Sequence, residues 1–144
     1  MDYSRFIKDE LKKQSITSPS MVVDLMTDIL IRFEEADYHK EKFFIVGVDT
    51  RNRPKFIDLC SMGSLTASVV HPRETFKIAI MGNAAGIIVI HNHPSGDPDP
   101  SSEDINLTKK LYEAGKIIGI DLLDHLIITT NRNDYLSMRD KGYI

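Results

Sequence analysis

The chain has 144 residues, 42% hydrophobic and 27% charged, which is enough apolar content for one full core and too much for general disorder. Its net charge of −3, from 18 basic and 21 acidic residues, lacks the basic surplus of a duplex-binding protein. The longest apolar run, Ala84 to Ile90, falls far short of the roughly 20 residues of a membrane span.

The lone Cys60 excludes an internal disulfide framework and a cysteine-only zinc site. Met1 to Phe6 carries no signal-peptide core, so the expected compartment is a reducing cytoplasm. The basic doublets Lys12-Lys13 and Lys109-Lys110 read as solvated helix faces.

Two helices are expected to open the chain. Tyr3, Phe6, Ile7 and Leu11 have helical spacing, and Ser18-Pro19 then marks a second start, with Ser18 as N-cap. Val22, Leu25, Met26, Ile29, Leu30 and Phe33 form one apolar stripe that faces the core, with a homodimer face as the second reading. Residues 1–42 thus read as a helical extension packed on a domain spanning 43–144. Phe43 to Asp49 reads as a buried strand, Thr50 to Pro54 as a turn and Lys55 to Ser61 as the second strand of a hairpin. His71-Pro72-Arg73-Glu74 starts a helix capped by His71, with Phe76, Ala79, Ile80 and Asn83 inside. Gly86 to Ile90 is β-branched and continuous, as in a central strand buried on both faces. A Pro/Gly/Asp loop follows from Pro94 to Pro100. Ser101 to Lys116 reads as a helix, Leu122 to Thr130 as a strand, and Tyr135-Leu136 as a short last strand. Strands alternate with helices, which predicts a single-domain α/β fold with a mixed β-sheet flanked by helices.

The central strand runs directly into His91-Asn92-His93. Side chains two apart on a strand point the same way, so both imidazoles can face one point. A tight loop then returns the chain to a helix whose first turn holds Asp104. Two neutral imidazoles and one carboxylate suit zinc and leave a fourth tetrahedral position open, as in catalytic rather than structural sites. Ser101-x-x-Asp104 is also a helix-capping pattern, and the two uses compete for the Asp104 carboxylate. Histidine and carboxylate ligands also accept iron, manganese or nickel.

The whole string, His91-x-His93-Pro94, six residues, then Ser101-x-x-Asp104, resembles the motif of the JAMM/MPN (JAB domain) metallopeptidases. Val70-His71-Pro72-Arg73-Glu74, Asn83-Ala84-Ala85, the continuation Pro94-Ser95-Gly96-Asp97 and Leu123-Asp124-His125 are similar to its bacterial RadC-like branch. The resemblance runs from about Phe43 to Ile144. It implies a cytidine-deaminase-like sandwich, zinc on His91, His93 and Asp104, and Ser101 stabilising a tetrahedral intermediate. The implied reaction is hydrolysis of a peptide or isopeptide bond by activated water, on a peptide or protein substrate of which a ubiquitin-like tail is one form. A DNA-repair association comes only with the branch's name, and direct nucleic-acid binding is not expected. No glutamate lies between Lys42 and Arg73, so the proton-shuttling glutamate of the family aligns with Asp58, one methylene shorter. That shortening predicts weakened activity or a metal-binding module without turnover. Cys60, two residues on, shares the face of Asp58 and reads as a small core residue. His125 is expected to support the ligands from behind, His39 to be exposed, and Glu74 to serve the helix dipole. Asp97 and Asp99 lie in the loop beside the site, where contact with substrate and turn chemistry explain them equally well.

Overall fold

The computed structural model describes residues 1–63 and 70–144. After a 3-10 turn at Ser4–Phe6 come α1 (Asp9–Lys12), α2 (Pro19–Leu30), α3 (Glu35–Tyr38), β1 (Glu41–Val48) and β2 (Pro54–Gly63). Then follow α4 (Pro72–Met81), β3 (Gly86–Asn92), α5 (Ser102–Ile118), β4 (Asp121–Ile128) and β5 (Tyr135–Ser137). The five strands form one mixed sheet in the order β2-β1-β3-β4-β5. Only β3 and β4 are parallel, joined by the α5 crossover; the other pairs are antiparallel. No helix of the described residues is long and apolar enough to cross a membrane.

Strand parity divides the core. Phe44, Val46, Ile88, Ile90, Leu126 and Ile128 face α2, whose Val22, Val23, Met26, Ile29 and Leu30 are buried against them. Phe43, Ile45, Ile87, Val89 and Leu122 face the other way, onto Phe76 and Ala79 of α4 and Leu107 and Leu111 of α5. The stripe of α2 is therefore used on the sheet of its own chain and is not a free dimer face. Thus β3 is covered on both sides, as its unbroken β-branched run requires.

Several expectations need correction. The first predicted helix breaks into the 3-10 turn and the single turn of α1, because Met1 to Tyr3 runs along the edge of β2. Tyr3 N–H donates to Ile57 O at 2.8 Å and Leu59 N–H to Met1 O at 2.8 Å. The apolar residues of that segment still reach the α2 side of the core. Ser18 has the extended backbone of an N-cap, but its hydroxyl makes no cap bond and sits 3.0 Å from Ser20 Oγ. His71 likewise stands at the N-cap of α4 without a side-chain cap bond. Within α4 the inward residues are Thr75, Phe76 and Ala79, while Ile80 is 55% exposed and Asn83 lies on the surface. The helix ends at Met81, so Asn83 belongs to the following turn with φ 54°.

The polar stretch before the first strand hides α3 and a buried lysine. Lys42 Nζ donates to Asp37 O at 2.5 Å and to Lys40 O at 2.8 Å, and lies 4.6 Å from the Phe33 ring centre. Satisfying the carbonyls at the end of α3 makes that burial tolerable. Strand β1 accordingly starts at Glu41, two residues before the apolar run.

Candidate metal centre

Residue parity at the end of β3 builds the site. His91 pairs with Phe43 of β1 and turns its ring to the α4/α5 side. Asn92 turns to the opposite side, accepts the Lys42 amide on Oδ1 at 2.6 Å and so ties β3 to the start of β1. His93 lies just past the strand, its amide donating to Ile128 O at 2.9 Å. The loop turns through Gly96, at φ 89°, and delivers Ser101 as N-cap of α5. A reciprocal capping box closes the turn: the Asp104 amide donates to Ser101 Oγ at 3.1 Å and the Ser101 amide to Asp104 Oδ2 at 2.8 Å.

The Asp104 carboxylate then stands between the imidazoles. His91 Nε2 is 3.4 Å from Oδ1, and His93 Nε2 is 3.3 Å from Oδ2. The candidate ligand atoms of all three residues lie within 4.8 Å of one another. The anticipated competition for Asp104 does not arise, because a carboxylate has lone pairs for both the Ser101 amide and a cation. His93 Nδ1 is 2.8 Å from the Asp97 carbonyl, which can only accept, so Nδ1 carries a proton. In the neutral ring Nε2 is then a lone pair aimed at a carboxylate. Two acceptors at that separation need a cation between them. Two imidazole nitrogens and a carboxylate oxygen gathered within 4.8 Å are a donor set that fits a divalent metal such as zinc.

Electrostatics in the metal-free chain agree. Burial, with Phe43 packed beside the ring, pushes His91 down to about 4. His93 is raised, first by its hydrogen bond to Asp104. Burial opposes the charge of Asp104, but His93, His91 and the Ser101 backbone outweigh it and hold the carboxyl well below its usual range. Of the two imidazoles it is His93, the more exposed, whose contacts with Asp104 and Asp97 favour the protonated form.

The other sequence candidates are placed as follows. Ser101 is at the rim of the cluster, its Oγ accepting from Asp104 and its hydroxyl proton left for another group. Asp58 is not brought to the cluster. It pairs with Ile45, in the row of Val89, and its carboxylate takes the Met1 ammonium at 3.1 Å. The row of His91 and Phe43 ends instead on Ser61, because a bulge at Cys60 shifts the register. Cys60 packs into the α4/α5 core, where burial raises its thiol pKa. Asp97 acts through its carbonyl on His93, while its carboxylate accepts the Asp99 amide at 3.0 Å. His39 is exposed, as expected, with its ring edge-on to Tyr38. His125 is fully buried and meets His91 Nδ1 at 3.1 Å through Nε2, behind the ligand.

Sequence reasoning missed Glu41. As the first residue of β1 it shares a face with Phe43 two residues on, and hence with His91. One step beyond that row it stands toward His93, and its charge is among the influences that raise the His93 pKa. The parity rule applied to His91 and His93 finds Glu41 once β1 is known to begin before the apolar run.

A family profile described as RadC-like JAB domain matches residues 16–143. The chain is similar to a UPF0758 protein of Methanosarcina mazei, 47% identical over 135 residues, covering 94% of this chain and 56% of that protein. A UPF0758 protein of Caldanaerobacter subterraneus subsp. tengcongensis is 48% identical over 130 residues, covering 90% of this chain and 52% of the relative. One from Clostridium botulinum is 54% identical over 112 residues, covering 77% and 48%. The chain thus spans about half the length of the relatives it matches. The profile begins at residue 16 and so takes in α2, which the motif resemblance, read from Phe43 onward, leaves outside.

Proposed function

Because the chain belongs to the RadC-like JAB domain family, we propose that it is a zinc-dependent hydrolase of amide bonds, acting on a peptide or protein substrate. The observation that carries this reading is the pair of imidazole Nε2 atoms set 3.3–3.4 Å from one carboxylate at a partly open strand end. His91, His93 and Asp104 would hold the metal, which supplies Lewis acidity and a nucleophile usable at neutral pH. The chain's own groups do the rest. Asp97, through its carbonyl, fixes the ring of His93. The Ser101 hydroxyl, anchored in the capping box, donates to the charge that develops on the substrate carbonyl oxygen. Glu41 takes a proton at its carboxylate and returns it to the leaving amine. That assignment replaces Asp58, which lies in a different row.

The test is hydrolysis of a fluorogenic peptide-amide library by the zinc-loaded chain. Glu41→Gln should lower the rate about 100-fold or more, the usual range for a lost general base, and Asp58→Asn should change it little. Undiminished activity in Glu41→Gln with loss in Asp58→Asn would return the role to Asp58. Zinc binding without any turnover would mark a silent module.

A further inference from the structure

The imidazole of His91 is engaged on both of its nitrogens. Behind Nε2, its Nδ1 lies 3.1 Å from His125 Nε2, and His125 Nδ1 lies 2.6 Å from Thr108 Oγ1. Thr108 Oγ1 is in turn 2.7 Å from the backbone carbonyl of Asp104. The chain of contacts runs from one candidate ligand to the backbone of another. His91 is 3% exposed, and His125 and Thr108 are 0% exposed, so its protons must be satisfied within the chain rather than by solvent.

Two arrangements satisfy it. In the first, Thr108 donates to the Asp104 carbonyl, His125 donates from Nδ1 to Thr108, and His91 donates from Nδ1 to His125. His91 Nε2 is then a lone pair facing Asp104. In the second the two imidazole bonds are reversed and the bond to the Asp104 carbonyl is given up: Thr108 donates to His125 Nδ1, His125 donates from Nε2 to His91, and His91 carries its proton on Nε2, against Asp104 Oδ1. Both contain the same protons, and only the first leaves His91 able to bind a cation. The Asp104 carbonyl is the final acceptor that makes the first arrangement complete.

We propose that Thr108 and His125 form a tautomer relay that sets His91 for metal binding. The Thr108 hydroxyl, donating to the Asp104 carbonyl, receives the His125 Nδ1 proton, and His125 thereby holds the His91 proton on Nδ1. The proposal rests on the metal-site reading and deepens it. Thr108 and His125 are positioning residues acting through His91. The geometry follows from two local rules. Asp104 and Thr108 are four apart on α5 and share its inner face. His125 sits on β4 opposite Val89, with its ring on the side that faces α5. One helical face thus supplies both a ligand and the end of the relay.

Zinc affinity of the full chain, measured by competition with a chromophoric chelator, tests the relay in wild type, Thr108→Val and Thr108→Ser. Valine has the shape of threonine without its hydroxyl, so the first arrangement would leave the His125 Nδ1 proton without an acceptor. Thr108→Val should weaken zinc binding roughly 10–100-fold, as for other losses behind a ligand, and Thr108→Ser should restore it. Long-range proton–nitrogen correlation spectra of the zinc-loaded wild type should place protons on Nδ1 of both His91 and His125. Thr108→Val binding zinc as tightly as wild type would overturn the relay. So would a zinc-loaded His125 protonated on Nε2, a result that stands even if the valine variant fails to fold. Failure of the wild type to bind zinc at all would overturn the metal-site reading, and the relay with it.

Discussion

Two acceptor nitrogens and a carboxylate meet at the end of β3, and burial gives each nitrogen a different acid response. His91 is held at about 4 and His125 at about 3, both by burial, against an ordinary value of 6.5. Below pH 6.5 the unfolded chain binds these protons and the folded chain does not, so stability falls as pH drops. The fall should run from about pH 6.5 down through about pH 4 for His91 and about pH 3 for His125, and amount to a few kcal/mol for each ring. His93 has the opposite sign, since its raised value contributes stability below pH 6.5 that is lost as pH rises through its folded value. Urea unfolding of the metal-free chain across this range should show the loss, and His125→Gln should flatten it. A slope unchanged in His125→Gln would mean that other groups dominate acid unfolding. At this scale the sequence was informative about identities and silent about proton positions. The spacing of His91, His93 and Asp104 was legible from parity and loop length. The tautomers depend on Asp97, Thr108 and His125, which meet the ligands only after the chain has folded.

Among the elements, α5 does the most for the site. Its first turn carries the capping box, and Gly115, near its end, lets it close against β4. A Cβ on Gly115 would stand 2.5 Å from the Ile120 carbonyl oxygen, which is backbone and cannot swing away. Gly115→Ala should therefore destabilise the chain by about 1–3 kcal/mol, the usual range for overpacking, despite alanine's better helix propensity. A thermal melt equal to or higher than wild type would show that the α5–β4 corner can relax. Most elements were legible because their apolar period is long and clear, as in α2 and β3. The opening helix was not, because edge pairing of Met1 to Tyr3 with β2 holds this segment, with Ile7 buried and Tyr3 and Phe6 partly so, which helical spacing does not reveal. The Cys60 bulge was equally hidden, and it sets Ser61 rather than Cys60 opposite Phe43.

For the whole molecule, the topology brings distant segments to one strand end. Strand β1 supplies Glu41, the end of β3 and the residue just past it the two histidines, the start of α5 and its N-cap the carboxylate and Ser101, and β4 the histidine behind them. Helix α2 covers the opposite face and shares its core with the sheet. The fold class was readable from the alternation of elements, whereas the covering of both faces depended on contacts that link Val22 to Leu126 across most of the chain. The central claim is that this assembly makes a metal site. Its most direct test is elemental analysis of the purified, zinc-supplied chain beside His93→Ala and Asp104→Asn, each confirmed folded by circular dichroism. Asparagine keeps a cap acceptor for Ser101 while removing the charge. The account predicts about one zinc per chain in wild type and little in either variant. A wild type without zinc, or variants that retain it in full, would contradict the account.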